Sequence, residues 1–276
     1  MLHESTGRLS VVGTGIRLAG QLTLETQHLV RHADRVFAVL ADPLSLNVLT
    51  DLNPRVTSMQ MHYAEGRSRD ETYERMIESV LAPVRAGEHV CAAFYGHPGV
   101  FVWPAHEAVR RARREGFEAT LYPGVSAEDC LVADLGIDPG VSGLQTYEAA
   151  DFLVHPRIFE PRTPLVLWQL AALGDRSRST FRTDPAWVRA LAQVLAEDYP
   201  DDHSVTVYEA AIGPFDDTRI ETVPLNRLHD LEFTQASTLY VPPIGAPEAD
   251  HDRLRRLGLD PTGLAEASFQ NYRRRG

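Results

Sequence analysis

Two tyrosines and one arginine stand at a spacing that could move a proton and hold the charge left behind. Arg69 and Tyr73 are i, i+4, so on a helix they share a face, and Tyr63 precedes them in a short loop. A guanidinium beside phenols lowers their pKa from about 10 and prepares them as bases. The same guanidinium is a ready partner for a developing oxyanion. The set also has a plainer reading: Tyr73 continues an apolar helical stripe, and Arg67 and Arg69 would then be solvated.

Two glycine-bearing stretches suggest ligand loops. Gly13-Thr14-Gly15 follows a β-like run, but the dinucleotide fingerprint needs a third glycine where this chain has Leu18. An NAD-type site is therefore disfavoured, leaving a tight turn or another kind of ligand loop. In Phe94-Tyr95-Gly96-His97-Pro98-Gly99-Val100-Phe101, Pro98 and Gly99 suit the centre of a type II turn. No Lys, Ser or Thr is at hand there for phosphate. The aromatic and apolar flanks suit an uncharged or cationic ligand carrying an adenine ring, or simply a structural turn.

Other chemistries are excluded or weak. All 27 basic residues are Arg, so Schiff bases, pyridoxal phosphate and the P-loop lysine are ruled out. His28 and His32 have metal-like spacing but no third ligand, and read as a surface pair. No metal site is expected. Asp201-Asp202-His203 and Asp216-Asp217 read as solvated turns, and no GxSxG signature is present. A net charge of −11 is the wrong sign for diffuse nucleic-acid binding. Two isolated cysteines, Cys91 and Cys130, suit a reducing compartment. No apolar run reaches the roughly 18 residues of a membrane span, and no secretory signal stands out. A soluble cytoplasmic protein is expected.

Something has to position these groups. The 276 residues allow one large domain or two moderate ones. Strands are predicted at Leu9–Val12, Arg35–Leu40, His89–Tyr95 and Phe117–Tyr122, with Asp42-Pro43 marking a turn. Helices are predicted at Leu22–His32, Ser68–Val84 and Trp103–Glu115. The 68–84 helix is the clearest: Tyr73, Met76, Ile77, Val80, Leu81 and Val84 make one stripe, and Ser68 with Glu71 is a capping box. Alternating strands and helices argue for a parallel sheet with crossover helices. From Ala127 the pattern changes. A helix, Ala127–Leu135, leads into Gln145–Glu148. Strand candidates follow at Leu165–Leu170, Ser204–Glu209, Arg219–Val223 and Thr238–Val241, with a helix at Pro185–Glu197. The expected division is an N-terminal α/β domain at 1–123, a C-terminal α/β domain at 124–243 and a polar tail at 244–276 holding one amphipathic piece, Asp252–Leu259.

Val12-Gly13-Thr14-Gly15, Tyr95–Phe101 and Leu121–Cys130 resemble the tetrapyrrole methylase superfamily, and Thr146–Leu153 and Ser237–Pro243 match its borosin peptide α-N-methyltransferases. The resemblance runs from about Leu9 to Pro243. It implies a two-domain α/β, class III S-adenosylmethionine (SAM) methyltransferase fold, with a parallel N-terminal sheet, a mixed C-terminal sheet and a cleft between. It implies SAM as cofactor, contacted by Gly13, Tyr95, His97, Val100, Phe101, Ser126, Ala127, Gln169, Tyr208, Ala210 and Thr238. It places the borosin catalytic Tyr, Arg and Tyr on Tyr63, Arg69 and Tyr73, while a further family tyrosine falls on Gln60. It also implies a homodimer. Fungal borosin enzymes carry their substrate as a C-terminal extension. Here Ala265–Gly276 lacks the apolar run of a core peptide, so a separate precursor peptide is expected. The alternatives are a methyltransferase acting on a corrinoid or porphyrinoid ring and an inactive SAM-fold protein that binds a peptide.

Overall fold

Val90-Cys91-Ala92-Ala93-Phe94 is apolar at every position, and a strand apolar on both sides must be covered on both. The computed structural model, which describes residues 7–17, 20–40, 43–63, 68–175, 183–213 and 215–259, does this. The chain divides into two units: Met1–Asp134 with Ala210–Thr218, and Leu135–Glu209 with Arg219–Gly276.

The first unit contains β1 (Arg8–Gly13), α1 (Leu24–His32), β2 (Arg35–Val39), α2 (Pro43–Leu52), β3 (Val56–Ser58), α3 (Arg69–Arg85), β4 (His89–Phe94), α4 (Trp103–Arg114), β5 (Glu118–Leu121) and α5 (Ala127–Leu135). The strands form one parallel sheet in the order β3-β2-β4-β1-β5. Strand alternation sends successive side chains to opposite faces. Val11, Val90, Ala92 and Phe94 meet the stripe of α3 (Met76, Ile77, Val80, Leu81, Val84) and the small residues of α4. Val12, Cys91 and Ala93 meet Val30 and Leu49 on the other face, toward α1 and α2.

Arginine binds α3 to α4. Arg111 grips both carboxylate oxygens of Glu74 at 2.7 Å each, and Arg85 grips both of Glu115 at 2.7 Å each. Such two-pronged bonds need the planar guanidinium fork, which an ammonium group lacks. Glu107, 5 % exposed, is held between Arg110 and Arg111.

The second unit contains α6 (Pro139–Ser142), β6 (Gln145–Glu148), α7 (Ala149–Val154), β7 (Leu165–Trp168), α8 (Pro185–Leu195), β8 (Ser204–Glu209), β9 (Arg219–Pro224), β10 (Thr238–Val241) and α9 (His251–Arg256). Its sheet, β6-β7-β10-β8-β9, is mixed: β6 and β7 are parallel and the other pairs antiparallel.

The expected strands and long helices are present, with three differences. The turn expected at Asp42-Pro43 is instead the start of α2. Proline's fixed φ suits the first helical position, and Leu46, Leu49 and Leu52 then pack on the core; Asp42 itself lies outside the described residues. Leu170 begins a 3-10 turn rather than ending a strand. The units divide after Asp134, not at 123/124, because α5 is tied back to the first unit. Gln21 Nε2 donates to Cys130 Sγ at 3.3 Å, and Arg17 pairs with Asp134 at 3.5 Å. Leu18, Arg67 and Ala265–Gly276 lie outside the described residues.

His89, at the opposite end of β4 from the glycine loop, makes folding pH-dependent. Arg8 donates to its Nδ1 at 3.1 Å, which leaves Nε2–H to donate to Ser10 Oγ at 3.2 Å. Burial and the Arg8 charge hold the ring below the ordinary histidine range, against Asp34 and Glu118. The unfolded chain therefore takes up this proton first, and stability falls as pH drops below about 6.5 toward the lowered folded value. Urea midpoints measured across that range should fall more steeply for the native chain than for His89→Gln. Equal slopes would refute the assignment.

Candidate active site

The start of α3 is built as its residues dictate. Ser68 is the N-cap, with its hydroxyl accepting from Glu71 N–H at 3.2 Å. That fixes Arg69 and Tyr73 on one face, and Arg69 Nη1 donates to the Tyr73 phenol oxygen at 3.3 Å. Tyr63 arrives by a separate route. A 3-10 turn, Gln60–His62, ends at Tyr63, whose N–H donates to Gln60 O at 3.0 Å. The turn is pinned to α3 twice: His62 Nε2 meets Ser79 Oγ at 3.0 Å, and Thr72 Oγ1 donates to His62 O at 3.4 Å. The other side of Tyr73 faces Trp103, with ring centroids 6.1 Å apart.

Partial burial of the Tyr63 ring, together with Tyr73, raises its pKa and outweighs the Arg69 charge. The expected lowering of both phenols by the guanidinium is thus corrected for Tyr63. Gln60, at the position of the family tyrosine, is spent on the backbone. Its Nε2 donates to Leu40 O at 2.7 Å, which ties the turn to the end of β2.

The glycine loops meet at the carboxyl ends of β1, β4 and β5. A Cβ added to Gly13 would lie 2.3 Å from Gly96 O, and one added to Gly124 would lie 2.9 Å from the Gly13 Cα. Gly15 and Gly96 exchange backbone hydrogen bonds at 3.3 and 3.0 Å. β1 leads to α1 on one face and its neighbour β4 leads to α4 on the other, the kind of divergence where open α/β sheets bind ligands. The amides after Gly15 are already used: Gln21 Oε1 accepts from Ile16 N–H at 2.7 Å and Arg17 N–H at 2.9 Å. A carboxamide oxygen therefore sits where a phosphate would bind. Tyr95, His97, Val100 and Phe101 follow on the β4 loop, where Phe101 has φ 56°. A non-glycine residue in this region is uncommon and clusters at ligand clamps. Ser126 and Ala127 open α5, with Ser126 Oγ donating to Asp129 at 2.8 Å.

In the second unit, Gln169, Tyr208 and Thr238 fall at one end of its sheet. Gln169 follows β7 with φ 63°, and Thr238 pairs in register with Tyr208. Ala210 opens the Ala210–Thr218 segment, which belongs to the first unit. Sequence reasoning missed a latch here. Glu209 accepts from Ser237 Oγ at 2.5 Å and from Arg219 Nη1 at 2.8 Å. Burial pushes that carboxyl up, but the bonds from Ser237, Arg219 and Thr234 leave it below the usual range. The signal was slight: one acid at a strand end, with partners far off in sequence.

Within the first unit, the close backbone approach at the glycines and the amides already filled by Gln21 suit a ligand other than a phosphate. Among the described residues no three His, Cys, Asp or Glu are grouped to hold a metal. His28 and His32, both exposed on α1, lie with ring centroids 4.3 Å apart and planes tilted by 35°.

Residues 8–228 match the Tetrapyrrole (Corrin/Porphyrin) Methylases. The chain is 38 % identical over 261 residues to a Dendrothele bispora protein described as a methyltransferase/ribosomally synthesized cyclic peptide dendrothelin A precursor, spanning 93 % of this chain and 63 % of that one. It is 38 % identical over 265 residues to the corresponding omphalotin A precursor of Omphalotus olearius, spanning 95 % and 64 %. The chain thus spans somewhat under two thirds of the length of these two relatives. Among solved structures, a cobalt precorrin-4 methyltransferase aligns with TM-score 0.62 at 17 % identity over 88 % of this chain and 97 % of that one. The uroporphyrin-III-C-methyltransferase of Thermus thermophilus aligns with TM-score 0.60 at 19 % identity over 86 % and 92 %.

Gly13 tests the loop geometry. Gly13→Ala should destabilise the protein by about 1–3 kcal/mol, the cost of forcing a methyl into a packed site. Gly245→Ala, with nothing within 4 Å of its added Cβ, should be close to neutral. Thermal melts of the two variants check the contrast, and equal melts would refute it.

Proposed function

Since the chain belongs to the tetrapyrrole (corrin/porphyrin) methylase family, we propose that it is a SAM-dependent methyltransferase whose acceptor is a backbone amide nitrogen of a precursor peptide. The observation that carries the peptide reading is the Tyr63, Arg69 and Tyr73 set, joined by the Arg69–Tyr73 hydrogen bond and by the electrostatic effect of Tyr73 and Arg69 on Tyr63. Similarity to proteins described as methyltransferase/cyclic peptide precursors supports it. Gly13, Tyr95, His97, Val100, Phe101, Ser126, Ala127, Gln169, Tyr208, Ala210 and Thr238 are the proposed SAM contacts.

An amide nitrogen is a poor nucleophile because its lone pair is delocalised into the carbonyl. Bound SAM supplies an electrophilic methyl group. The protein has to remove the N–H proton and stabilise the oxygen onto which charge moves. Tyr73 is the proposed base: its oxygen already accepts from Arg69, so a cation stands beside it when it gives up its own proton. Arg69 is a charged donor for the imidate oxygen. Tyr63, held above the ordinary phenol range, keeps its proton and serves as a hydrogen-bond donor. Trp103 lies beside Tyr73, with ring centroids 6.1 Å apart. A ring-methylating enzyme, in keeping with the family description and the solved structures, would not need these three residues together.

We further propose a homodimer acting on a precursor supplied as a separate protein, in the cytoplasm. The two free, buried cysteines are in keeping with a reducing compartment. No helix among the described residues is long and apolar enough to cross a membrane.

The deciding assay follows methyl-mass increments on a precursor peptide incubated with the protein and SAM, beside melts of each variant. Arg69→Ala should lose about 10²–10³-fold in rate, as for a missing oxyanion donor. Tyr73→Phe, which keeps the ring, should methylate far more slowly while folding normally. Near-normal turnover in both variants would overturn the catalytic set and favour a ring substrate. Increments on the chain itself, with none on the added peptide, would overturn the separate precursor. Light scattering should give twice the chain mass; a monomer at micromolar concentration would overturn the dimer.

A further inference from the structure

Gly99 is gripped from both sides by histidines. Its N–H donates to Nδ1 of His97 at 2.9 Å, and its carbonyl oxygen lies 2.9 Å from Nε2 of His106. A backbone N–H only donates and a carbonyl only accepts, so the geometry assigns both tautomers: His97 is bare at Nδ1, and His106 carries hydrogen on Nε2. The turn is tight here: an added Cβ on Gly99 would lie 3.0 Å from the His97 ring, which would have to give way by a few tenths of an ångström. His106 reaches this turn from the first turn of α4, a helix whose N-cap, Val102, supplies no side-chain bond.

Two residues after Gly99, Phe101 is held at φ 56°, and an unfavourable backbone conformation persists only where its surroundings enforce it. The enforced conformation does not serve the core. Val100 is 46 % exposed and Phe101 51 % exposed. A strained turn, clamped through one glycine and displaying two large apolar side chains outward, is organised for a ligand.

We propose that His106 is a positioning residue for the cofactor site: by holding the Gly99 carbonyl it keeps Val100 and Phe101 in the conformation that contacts SAM. This rests on the reading above that SAM binds at this loop. His106 acts through Gly99 and touches no reacting atom.

The test is calorimetric titration of SAM into the native chain, His106→Ala and His106→Gln, each beside a melt without SAM. Glutamine keeps an N–H donor on a side chain of similar reach. His106→Ala should weaken SAM binding about three- to tenfold, the worth of one hydrogen bond, and His106→Gln should recover most of it. In turnover, His106→Ala should raise KM for SAM more than it lowers kcat. Native-like affinity in His106→Ala overturns the proposal and leaves the SAM reading intact. A fall in affinity and melting temperature together, unrescued by glutamine, assigns His106 a purely structural role. A native chain that binds no SAM removes the SAM reading and the clamp with it. Should His106→Ala misfold, the ring 15N resonances of His106 in the native chain decide: they should shift on adding SAM, and resonances that stay fixed overturn the proposal.

Discussion

The first unit is governed by one close approach. Gly13, Gly96 and Gly124 bring the backbones of three loops together at the carboxyl ends of β1, β4 and β5, with no room for a side chain between them. The bridge between Gly15 and Gly96 depends on it, and so does the course of the chain into Gln21. Because Gln21 satisfies the amides of Ile16 and Arg17, those two N–H groups are already spent and are not open to a phosphate.

The absence of lysine has a structural counterpart. α3 carries Arg69 and Tyr73 at one end, α4 carries Trp103 and His106 at its start, and the paired forks of Arg85 and Arg111 keep the two helices in register. Single exposed ion pairs contribute little to stability. Their value here is directional, because a bidentate pair fixes an orientation as well as a distance. Arg111 is central, since it holds Glu74 on α3 and the buried Glu107 on its own helix.

What was legible in sequence was local. The capping box at Ser68 and Glu71, the stripe from Met76 to Val84 and the strand alternation around Val11 and Val12 each rest on neighbours a few residues apart, and all are in the structure. The family resemblance added the likeness to known methylases, which spacing alone did not give. What escaped depends on distant contacts. Pro43 is equally good at a turn and at the first position of a helix, and only packing of Leu46, Leu49 and Leu52 decides for α2. The Glu209 latch joins three stretches of the second unit that no short-range pattern links. The Tyr63 shift needed the turn to be placed against α3 before its burial could be weighed against the Arg69 charge.

That shift sets Tyr63 in a different environment from its chemically identical neighbour. One arginine serves two phenols, but its hydrogen bond goes to Tyr73, while Tyr63 takes the cost of a half-covered ring and of a second phenol nearby. The asymmetry is set by backbone: Ser68 fixes where α3 begins and so hands Arg69 to Tyr73, whereas Tyr63 comes in on a turn anchored through His62 to Thr72 and Ser79. On the proposed reading, an amide bound here meets Tyr73 as proton acceptor and Tyr63 as donor, with the Arg69 guanidinium beside the acceptor, an order that suits removal of an N–H proton coupled to growth of charge on the carbonyl oxygen.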